Sequence, residues 1–288
     1  MGSRETNPLL QVRELSVRYR SARSKPHQAL DKVTLEIEPG EIVGLMGESG
    51  CGKTTLALAL LGLLPADDAD ISGSVLFQGS ETLSMGERSL QKIRGAGISM
   101  IYQEPEIALS PFLRAGDQIA EVVRAHHDWK WNRCREAAFA ALERMGFDEP
   151  GRIYQSYPHQ LSGGQRQRIV FAQALICEPA LIIADEPTAS LDARSQAEMI
   201  GLLRVIREQK RVSVLLISHT PEIQASLADR LVVMSQGRVV EEGSFDRLYW
   251  GASHPVTNAM LRPKNRKPAT SPKLTESEVE VETQELLR

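Results

Sequence analysis

A buried strand that leads directly into a glycine-rich loop and then an apolar helix is the feature that most constrains this fold. Ile42–Met46 is a short, continuous apolar run, which is typical of a strand buried on both faces. Residues 47–55 have the sequence Gly-Glu-Ser-Gly-Cys-Gly-Lys-Thr-Thr and match the pattern G-x-x-x-x-G-K-[ST]. The apolar, helix-like stretch Leu56–Leu64 follows. This order of elements predicts the start of an α/β unit that binds phosphate groups.

The residue types of the loop suit a nucleotide. Glycines let the backbone wrap closely and point successive N–H groups inward, and the following helix adds its positive N-terminal end. Lys53 is a mobile charge for the β and γ phosphates, and the Thr54 hydroxyl is a Mg²⁺ ligand in such loops. A glycine-rich turn without function is the alternative, and the flanking strand and helix argue against it. The candidate nucleotide-binding residues here are Gly47, Glu48, Ser49, Gly50, Cys51, Gly52, Lys53, Thr54 and Thr55.

Strand patterns recur along the chain, with helical patterns between them. Alternating apolar residues predict strands at Leu9–Tyr19 and Val33–Ile37. The helical face of Gln196–Arg207 carries Met199, Leu202, Leu203 and Ile206. Strands alternating with helices indicate a mostly parallel sheet covered by helices. Continuous apolar runs predict further buried strands at Ile98–Tyr102, Leu181–Ala184, Val212–Ile217 and Leu231–Met234.

The middle of the chain, roughly residues 110–160, has a different pattern. Ile119, Val122 and Val123 fall on one helical face, and a second helix is predicted over Arg133–Met145. No good strand pattern occurs in this part of the sequence. We therefore predict a helical subdomain inserted into an α/β core.

Composition and charge exclude several classes of protein. The 288 residues carry a net charge of −3, so no positive excess marks a nucleic-acid-binding protein. The three cysteines are far apart, which fits a reducing compartment rather than a disulfide framework. The longest apolar run, Thr54–Ala66, is shorter than the roughly 20 residues that a bilayer span needs. The first residues lack the apolar core of a secretory signal, so we expect a cytoplasmic protein.

Two carboxylates end one of the predicted strands. Asp185 follows the apolar run that begins at Leu181, and Glu186 comes next. Because ligands bind beyond the carboxyl ends of such strands, Asp185 is placed to hold Mg²⁺ through water. Glu186 points differently and is suited to act as a general base on a water molecule. Alone, such a pair would more often be a helix cap or a solvated turn.

A second phosphate-binding element is predicted at residues 161–165, with the sequence Leu-Ser-Gly-Gly-Gln. Ser162 can cap the helix that continues over Ile169–Ile176, and Gly163 and Gly164 let a phosphate approach its N-terminal end. A capped helix after a Gly-Gly turn is the alternative for this pentapeptide alone.

Together these motifs resemble the ATP-binding cassette (ABC) ATPase family, in order and approximate spacing over most of the chain. The resemblance implies a P-loop NTPase core with a mostly parallel sheet, an N-terminal antiparallel β part and an inserted helical subdomain. It implies ATP and Mg²⁺ as ligands. The matching elements are the Walker A loop at 47–55, the Q-loop Gln103, the signature Leu161–Gln165, the Walker B strand Leu181–Asp185, the catalytic Glu186, the D-loop Ser190-Leu191-Asp192, the switch His219 and the adenine-stacking Tyr19.

The same resemblance assigns roles to residues. The implied catalytic residues are Glu186, His219, Lys53 and Gln103, and the implied metal ligands are Thr54, Gln103 and Asp185. Taken alone, Tyr19 would more often pack on its strand, and His219 would more often be a surface histidine. The nucleotide-binding set adds to the loop Tyr19, Ser162, Gly163, Gly164, Gln165 and Asp192.

Further segments resemble the oligopeptide/dipeptide/nickel importer ATPases. They are Gly62–Pro65, Gln103–Pro105, Ala108–Pro111, Tyr157–Gln160 and His254–Thr257, with departures from that group's usual sequence at Glu104 and Val256. Some members have a C-terminal iron–sulfur site held by four cysteines; no cysteine follows Cys177 here, so we predict none.

This resemblance implies an ATP-hydrolysing subunit that powers an importer of peptides or a related small solute. The implied partners are two transmembrane permease subunits, a second ABC ATPase subunit (a paralogue or a second copy) and, indirectly, a solute-binding protein. Its location would be peripheral, on the inner face of the plasma (inner) membrane. The alternative is a soluble ABC-type ATPase subunit of a non-transport complex, of the carbon–phosphorus lyase type.

The predicted domain organisation follows from these segments. We expect a flexible N-terminus at 1–8, an ABC ATPase domain at 9–261 and a disordered tail at 262–288. Within the domain, the core covers 9–104 and 165–250, the helical subdomain about 105–164, and a C-terminal extension 251–261.

Overall fold

A computed structural model describes residues 7–20, 26–65, 67–189, 191–209 and 212–262. The strands are β1 (Leu10–Tyr19), β2 (His27–Ile37), β3 (Ile42–Gly47), β4 (Ala69–Phe77), β5 (Ser80–Glu81), β6 (Ile98–Ile101), β7 (Leu181–Asp185), β8 (Ser213–Ile217), β9 (Arg230–Ser235) and β10 (Arg238–Gly243). The α-helices are α1 (Lys53–Leu60), α2 (Glu87–Ile93), α3 (Pro105–Ala108), α4 (Ala115–His126), α5 (Trp131–Arg144), α6 (Pro150–Gln155), α7 (Gly163–Leu175), α8 (Ala193–Gln209), α9 (Pro221–Leu227), α10 (Phe245–Gly251) and α11 (Pro255–Leu261).

The N-terminal strands form an antiparallel sheet in the order β2-β1-β4-β5. The alternation along β1 changes phase between Val12 and Leu15, both of which are buried. A bulge explains the change, because the register shifts there against both neighbouring strands and Glu14 has a φ of 45°. Apolar side chains on both sides of the bulge therefore face the same core.

The second sheet is mostly parallel and has the order β10-β9-β3-β8-β7-β6, with only β10 antiparallel. Every residue of β3 and β8 is buried, as expected for central parallel strands covered on both faces. The strands β3, β8, β7 and β6 run in the same direction, so their carboxyl ends share one edge of the sheet. That edge carries the candidate site.

Five α-helices, α3 to α7, lie between β6 and β7, with a 3₁₀ turn at Pro158–Gln160 before α7. Their apolar faces meet at fully buried residues such as Ile119, Leu142 and Phe171, and the cluster continues onto Ile182 of the sheet. The predicted fold class is confirmed, with its mostly parallel sheet, its antiparallel N-terminal part and its inserted helices. The domain boundaries given above stay a prediction.

Several elements differ from the sequence-based expectations. The first helix begins earlier, at Lys53 of the loop, and ends at Leu60 rather than Leu64, because Gly62 adopts a φ of 61°. The alternating patterns and the long apolar runs did not reveal β4, β5, β10, α2, α3, α6, α9, α10 or α11. The expectations for the N-terminus and the tail fall mainly on residues 1–6 and 263–288, which lie outside the described residues, as does Ser190.

The last two helices close the chain against the parallel sheet. Leu248 of α10 and Leu261 of α11 are buried with Met46, Leu231 and Val233. Within the described part of the chain, no helix has the length and apolar character needed to cross a membrane.

Candidate nucleotide-binding site

The glycine-rich loop joins β3 to α1 at the carboxyl edge of the sheet. Gly50 and Gly52 have φ values of 77° and 109°, a region that other residues rarely adopt. A Cβ added at Gly50 would meet nothing within 4 Å, so the crest of the loop is open. A Cβ at Gly52 would lie 2.5 Å from the Ala29 carbonyl oxygen, so the loop needs glycine there. This open, tightly wound backbone is suited to a phosphate.

Lys53 is folded back onto the loop that precedes it. Its Nζ donates to the carbonyl oxygens of Gly47 at 2.7 Å and Glu48 at 3.0 Å, and it lies 3.8 Å from Cys51 Sγ. Gly47 is buried, whereas Glu48, Ser49 and Gly50 at the crest are exposed. The ammonium group is therefore held at the loop, next to the exposed backbone.

Thr54 and Asp185 meet across the site, although 131 positions separate them in sequence. Thr54 Oγ1 donates to Asp185 Oδ2 at 3.4 Å. Burial and the negative charge of Glu186 raise the pKa of Asp185, while Thr54 and Lys53 act in the opposite direction. The hydroxyl and carboxylate oxygens are the type of ligand that Mg²⁺ prefers. No group of three or more His, Cys, Asp or Glu side chains among the described residues could hold a metal by itself.

Glu186 and His219 form a pair beside this position. Glu186 Oε1 accepts from the His219 backbone N–H at 3.0 Å and lies 2.8 Å from His219 Nδ1. The Glu186 side chain is 13% exposed and that of His219 is 66% exposed, so the carboxylate is largely buried while the histidine ring faces outward. Glu186 also has a φ of 47°, an unusual conformation for a residue with a Cβ. The pair joins the end of β7 to the end of β8.

Gln103 and Tyr19 are separate in sequence from these motifs. Gln103 is exposed two residues after β6, whose Ile101 pairs with Ala184 of β7, so it follows the same edge of the sheet. Tyr19 ends β1 opposite His27 and Ala69 and is partly buried against the N-terminal core. Tyr19 thus has the packing contacts of the simpler alternative.

The signature residues form the N-terminal end of α7. Ser162 Oγ accepts from the Gln165 backbone N–H at 3.2 Å, and Gln165 Oε1 accepts from the Ser162 N–H at 3.0 Å. This is a capping box, so Ser162 is the helix cap that the sequence predicts. A Cβ at Gly163 would meet nothing within 4 Å, whereas one at Gly164 would lie 2.4 Å from Ser195 Oγ. One face of this helix end is open, and the other lies against α8.

Asp192 caps the neighbouring helix α8. Its Oδ1 accepts from the Ser195 backbone N–H and its Oδ2 from the Ser195 hydroxyl, both at 3.0 Å. These hydrogen bonds lower the pKa of Asp192, the backbone bond having the larger effect. Because Ser195 also contacts Gly164, Asp192 and the start of α7 are parts of one surface.

The geometry brings Lys53, Thr54, Asp185, Glu186 and His219 together at the carboxyl edge of the sheet. The family model for ABC transporters matches residues 30–189, which is more than half of the chain. The chain belongs to the ABC transporter family.

Curated relatives of this ABC chain are named for peptide transport. The oligopeptide transport ATP-binding protein OppD of Lactococcus lactis subsp. cremoris (strain SK11) is 38% identical over 258 residues, which cover 90% of this chain and 76% of that protein. The dipeptide transport ATP-binding protein DppD of Bacillus subtilis (strain 168) is 40% identical over 235 residues, covering 81% and 70%.

Solved structures are similar in fold. A dimeric ATP-binding cassette in a post-hydrolysis state, bound to ADP and Pi, has a TM-score of 0.73 and 27% identity to this ABC chain. The match covers 82% of this chain and 98% of that one. The predicted family is therefore confirmed by sequence and by fold.

Two polar residues near the site were not identified from the sequence of this ABC chain. Gln167 of α7 and Gln224 of α9 are both 0% exposed. They donate hydrogen bonds to backbone carbonyls next to Glu186 and His219. The signal in the sequence was an amide residue at a helix position that faces the core. A sequence pattern alone cannot distinguish such a position from an exposed polar one.

Proposed function

We propose that this chain is the ATP-hydrolysing subunit that powers an ABC importer of peptides or a related small solute. The observation that carries the proposal is the meeting of Asp185, Glu186 and His219 beside the Walker A loop. The names of the relatives favour transport over a soluble complex of the carbon–phosphorus lyase type. Peptides are proposed as the substrate class from those names alone, since the selectivity of such a transporter would lie in its membrane and solute-binding partners.

The phosphate loop binds the triphosphate of ATP in this proposal. Backbone N–H groups of residues 47–55 surround the phosphates, and the positive end of α1 adds to their field. Lys53 exchanges its carbonyl partners, Gly47 and Glu48, for phosphate oxygens, which are stronger acceptors because they are charged. Tyr19 is only partly buried against the N-terminal core, and the exposed part of its ring is proposed to stack on the adenine.

Thr54, Asp185 and Gln103 are the proposed Mg²⁺ ligands. Thr54 and Asp185 supply oxygens that are already 3.4 Å apart, and phosphate oxygens and water complete the shell. When bound, the ion would neutralise negative charge that develops on the phosphate oxygens. Asp185 would be held as the carboxylate there, since a nearby cation favours the charged form.

Glu186 is the proposed general base. Its carboxylate takes a proton from the attacking water as the bond between the γ-phosphorus and the bridging oxygen breaks, and ADP and phosphate leave. The two contacts to His219 fix the orientation of Glu186 Oε1. The exposed His219 ring lies at the mouth of the site, where it stabilises charge on the γ-phosphate.

A second ABC ATPase subunit completes the proposed site. Each chain has one phosphate loop and one signature, and the open faces at Gly50 and Gly163 are available to another subunit. Ser162–Gln165 of the second subunit would face the γ-phosphate, with Asp192 beside it. ATP then favours the closed dimer, and hydrolysis releases it. The second subunit is a paralogue or a second copy.

Two permease subunits are the proposed membrane partners. Ile107 on α3 and Phe112 before α4 are 76% and 86% exposed, and both follow Gln103 closely. Such exposure of large apolar side chains is typical of an interaction site. The salt bridge from Glu106 to Arg166, 3.0 Å long, ties this segment to α7.

With these partners, the chain would lie on the cytoplasmic face of the inner membrane. A solute-binding protein would be an indirect partner, and nucleic acid would have no role. The domain division at 9–104, 105–164, 165–250 and 251–261 belongs to this proposal.

Glu186→Gln is the variant that tests the proposed function. Glutamine can still accept from the His219 N–H, but it cannot take a proton from water. We expect kcat for ATP to fall by about 10²- to 10⁴-fold, with ATP still bound. In contrast, Lys53→Ala should weaken ATP binding by about 10- to 100-fold, measured as Kd.

The assay is steady-state ATP hydrolysis by the chain co-expressed with its permease partners, together with peptide uptake into vesicles. Peptide uptake should be lost in both variants. Full ATPase activity of Glu186→Gln would refute the general-base assignment. Failure of the chain to associate with any membrane-spanning protein would favour the soluble complex instead.

A further inference from the structure

Two buried amide side chains lie behind the Glu186–His219 pair. Gln167 is on α7 and Gln224 is on α9, and both are 0% exposed. Neither side chain belongs to a phosphate-binding motif. Each one nevertheless hydrogen-bonds to the backbone of one of the two turns that carry the pair.

Gln167 holds the turn after β7. Its Nε2 donates to the Pro187 carbonyl oxygen at 2.9 Å. Pro187 directly follows Glu186, which has a φ of 47°. A residue with a Cβ keeps such a conformation only where its surroundings impose it. The hydrogen bond from Gln167 is one of those constraints.

Gln224 holds the turn after β8. Its Nε2 donates to the carbonyl oxygens of Leu216 and Ser218, each at 3.1 Å, and Ser218 directly precedes His219. The strand β3 leaves room for this amide, because a Cβ at Gly44 would lie 2.1 Å from Gln224 Oε1. A larger residue at position 44 would therefore collide with the Gln224 amide.

Within the described part of the chain, the two amides hydrogen-bond only through their Nε2 groups. Among the described residues, no donor reaches Oε1 of Gln167 or Oε1 of Gln224. A buried acceptor without a partner costs free energy, so the favourable contribution of each amide lies in the donor that it offers to the backbone. The amides are better explained by the backbone carbonyls that they hold.

We propose that Gln167 and Gln224 are positioning residues that jointly set the geometry of the Glu186–His219 pair. The inference rests on the proposed role of that pair in ATP hydrolysis. Gln167 fixes the turn that orients the carboxylate, and Gln224 fixes the turn that orients the histidine. The two turns meet where Glu186 Oε1 contacts the His219 N–H and Nδ1, so a shift of either turn disturbs the same contact.

Gln167→Met and Gln224→Met test the role of each amide. Methionine is similar in size but cannot donate a hydrogen bond. We expect kcat for ATP to fall by about 10- to 100-fold in each variant, because a small displacement of a catalytic group has an effect of that size. KM for ATP should stay within about twofold, since the nucleotide-binding loop is not touched.

Packing variants on the same helices are the matched controls. Ile169→Val on α7 and Ile223→Val on α9 remove one buried methylene each and no hydrogen bond. They should lower Tm and leave kcat unchanged. If the methionine variants behave in the same way, with lower Tm and normal kcat, the amides are only structural and the proposal is wrong.

The double variant Gln167→Met/Gln224→Met tests whether the amides act jointly. If both act through one pair, its loss in kcat should be close to the larger single loss. Losses that multiply would contradict the proposal. Where a methionine variant does not fold, Gln167→Asn or Gln224→Asn replaces it; the shorter amide withdraws the donor, and the same loss in kcat is expected.

These experiments distinguish a failure of the positioning role from a failure of the proposed function. An inactive Glu186→Gln variant together with fully active glutamine variants would refute the positioning role alone. An active Glu186→Gln variant would refute the assignment of the pair itself.

Discussion

Asp185 is the residue at which the proposed metal binding and the stability of the protein oppose each other. Burial, followed by the charge of Glu186, raises the pKa of Asp185 above its ordinary value of 3.8. Its contribution to stability is therefore complete below pH 3.8 and is lost as pH rises through the folded-state pKa. At neutral pH and without metal or nucleotide, the ionised Asp185 destabilises the protein.

We expect Asp185→Asn to raise Tm at pH 7 in the absence of Mg²⁺ and ATP, and to abolish Mg²⁺-dependent ATP hydrolysis. Thermal unfolding of both proteins at pH 7 and near pH 4 measures the effect, and the difference in Tm should shrink at the lower pH. Asp128→Asn is the control, since Asp128 is exposed and distant from the loop in sequence. A lower Tm for Asp185→Asn at pH 7 would contradict this prediction.

The residues of the site differ in how well the sequence predicted their positions and contacts. Lys53 and Thr54 belong to a local motif, so their positions at the start of α1 follow from nine neighbouring residues. The contact of Glu186 with His219 joins two separate strands, and only the family resemblance linked these residues beforehand. Gln167 and Gln224 were missed, because the burial of a polar side chain depends on what packs over it.

The strands and helices were predictable where their apolar pattern was continuous. β3, β7 and β8 are nearly uniform apolar runs, and the structure has strands within one residue of each expected position. β4 mixes exposed and buried residues and contains Gly73, where an added Cβ would lie 2.6 Å from the Glu14 carbonyl oxygen. α10 and α11 bury few residues each, so their helical periodicity is weak.

The C-terminal helices are attached to the sheet by a carboxylate on β10. Glu241 Oε1 accepts from the Ser253 N–H at 2.7 Å and from the Ser253 hydroxyl at 2.8 Å. Burial acts to raise the pKa of Glu241, but Thr257 and Ser253 more than offset it, and the pKa falls to about 2. The group therefore stabilises the fold above pH 4.5, and this contribution is lost as pH falls towards 2.

We expect Glu241→Gln to lower the stability of the protein at pH 7, because the ionised acceptor is lost at the contact between β10 and the segment before α11. The difference from the original protein should narrow as pH falls from 4.5 towards 2. Chemical unfolding at several pH values measures it, with the exposed Glu121→Gln as the control. A difference that is independent of pH over this range would contradict the role of the charge.

The exposed apolar side chains near α3 are the proposed contact with the membrane subunits. Phe112 is 86% exposed, so its replacement by serine should change Tm little. We expect Phe112→Ser to reduce co-purification with the permease subunits by about 10-fold, as for an aromatic residue at the centre of an interface. Trp250→Ser, on α10, is the control, because Trp250 is 71% exposed elsewhere on the chain. Equal loss in both variants would argue against a specific role for Phe112.

We propose that ATP is hydrolysed in a site shared between this chain and a second ABC ATPase subunit. The most direct test is the ATPase rate per chain as a function of concentration, with the oligomeric state measured in the same samples, for the chain alone and with its companion subunit. We predict a low rate for the monomer and a rise that follows dimer formation. Full-speed hydrolysis by a chain that stays monomeric at every concentration would contradict the claim.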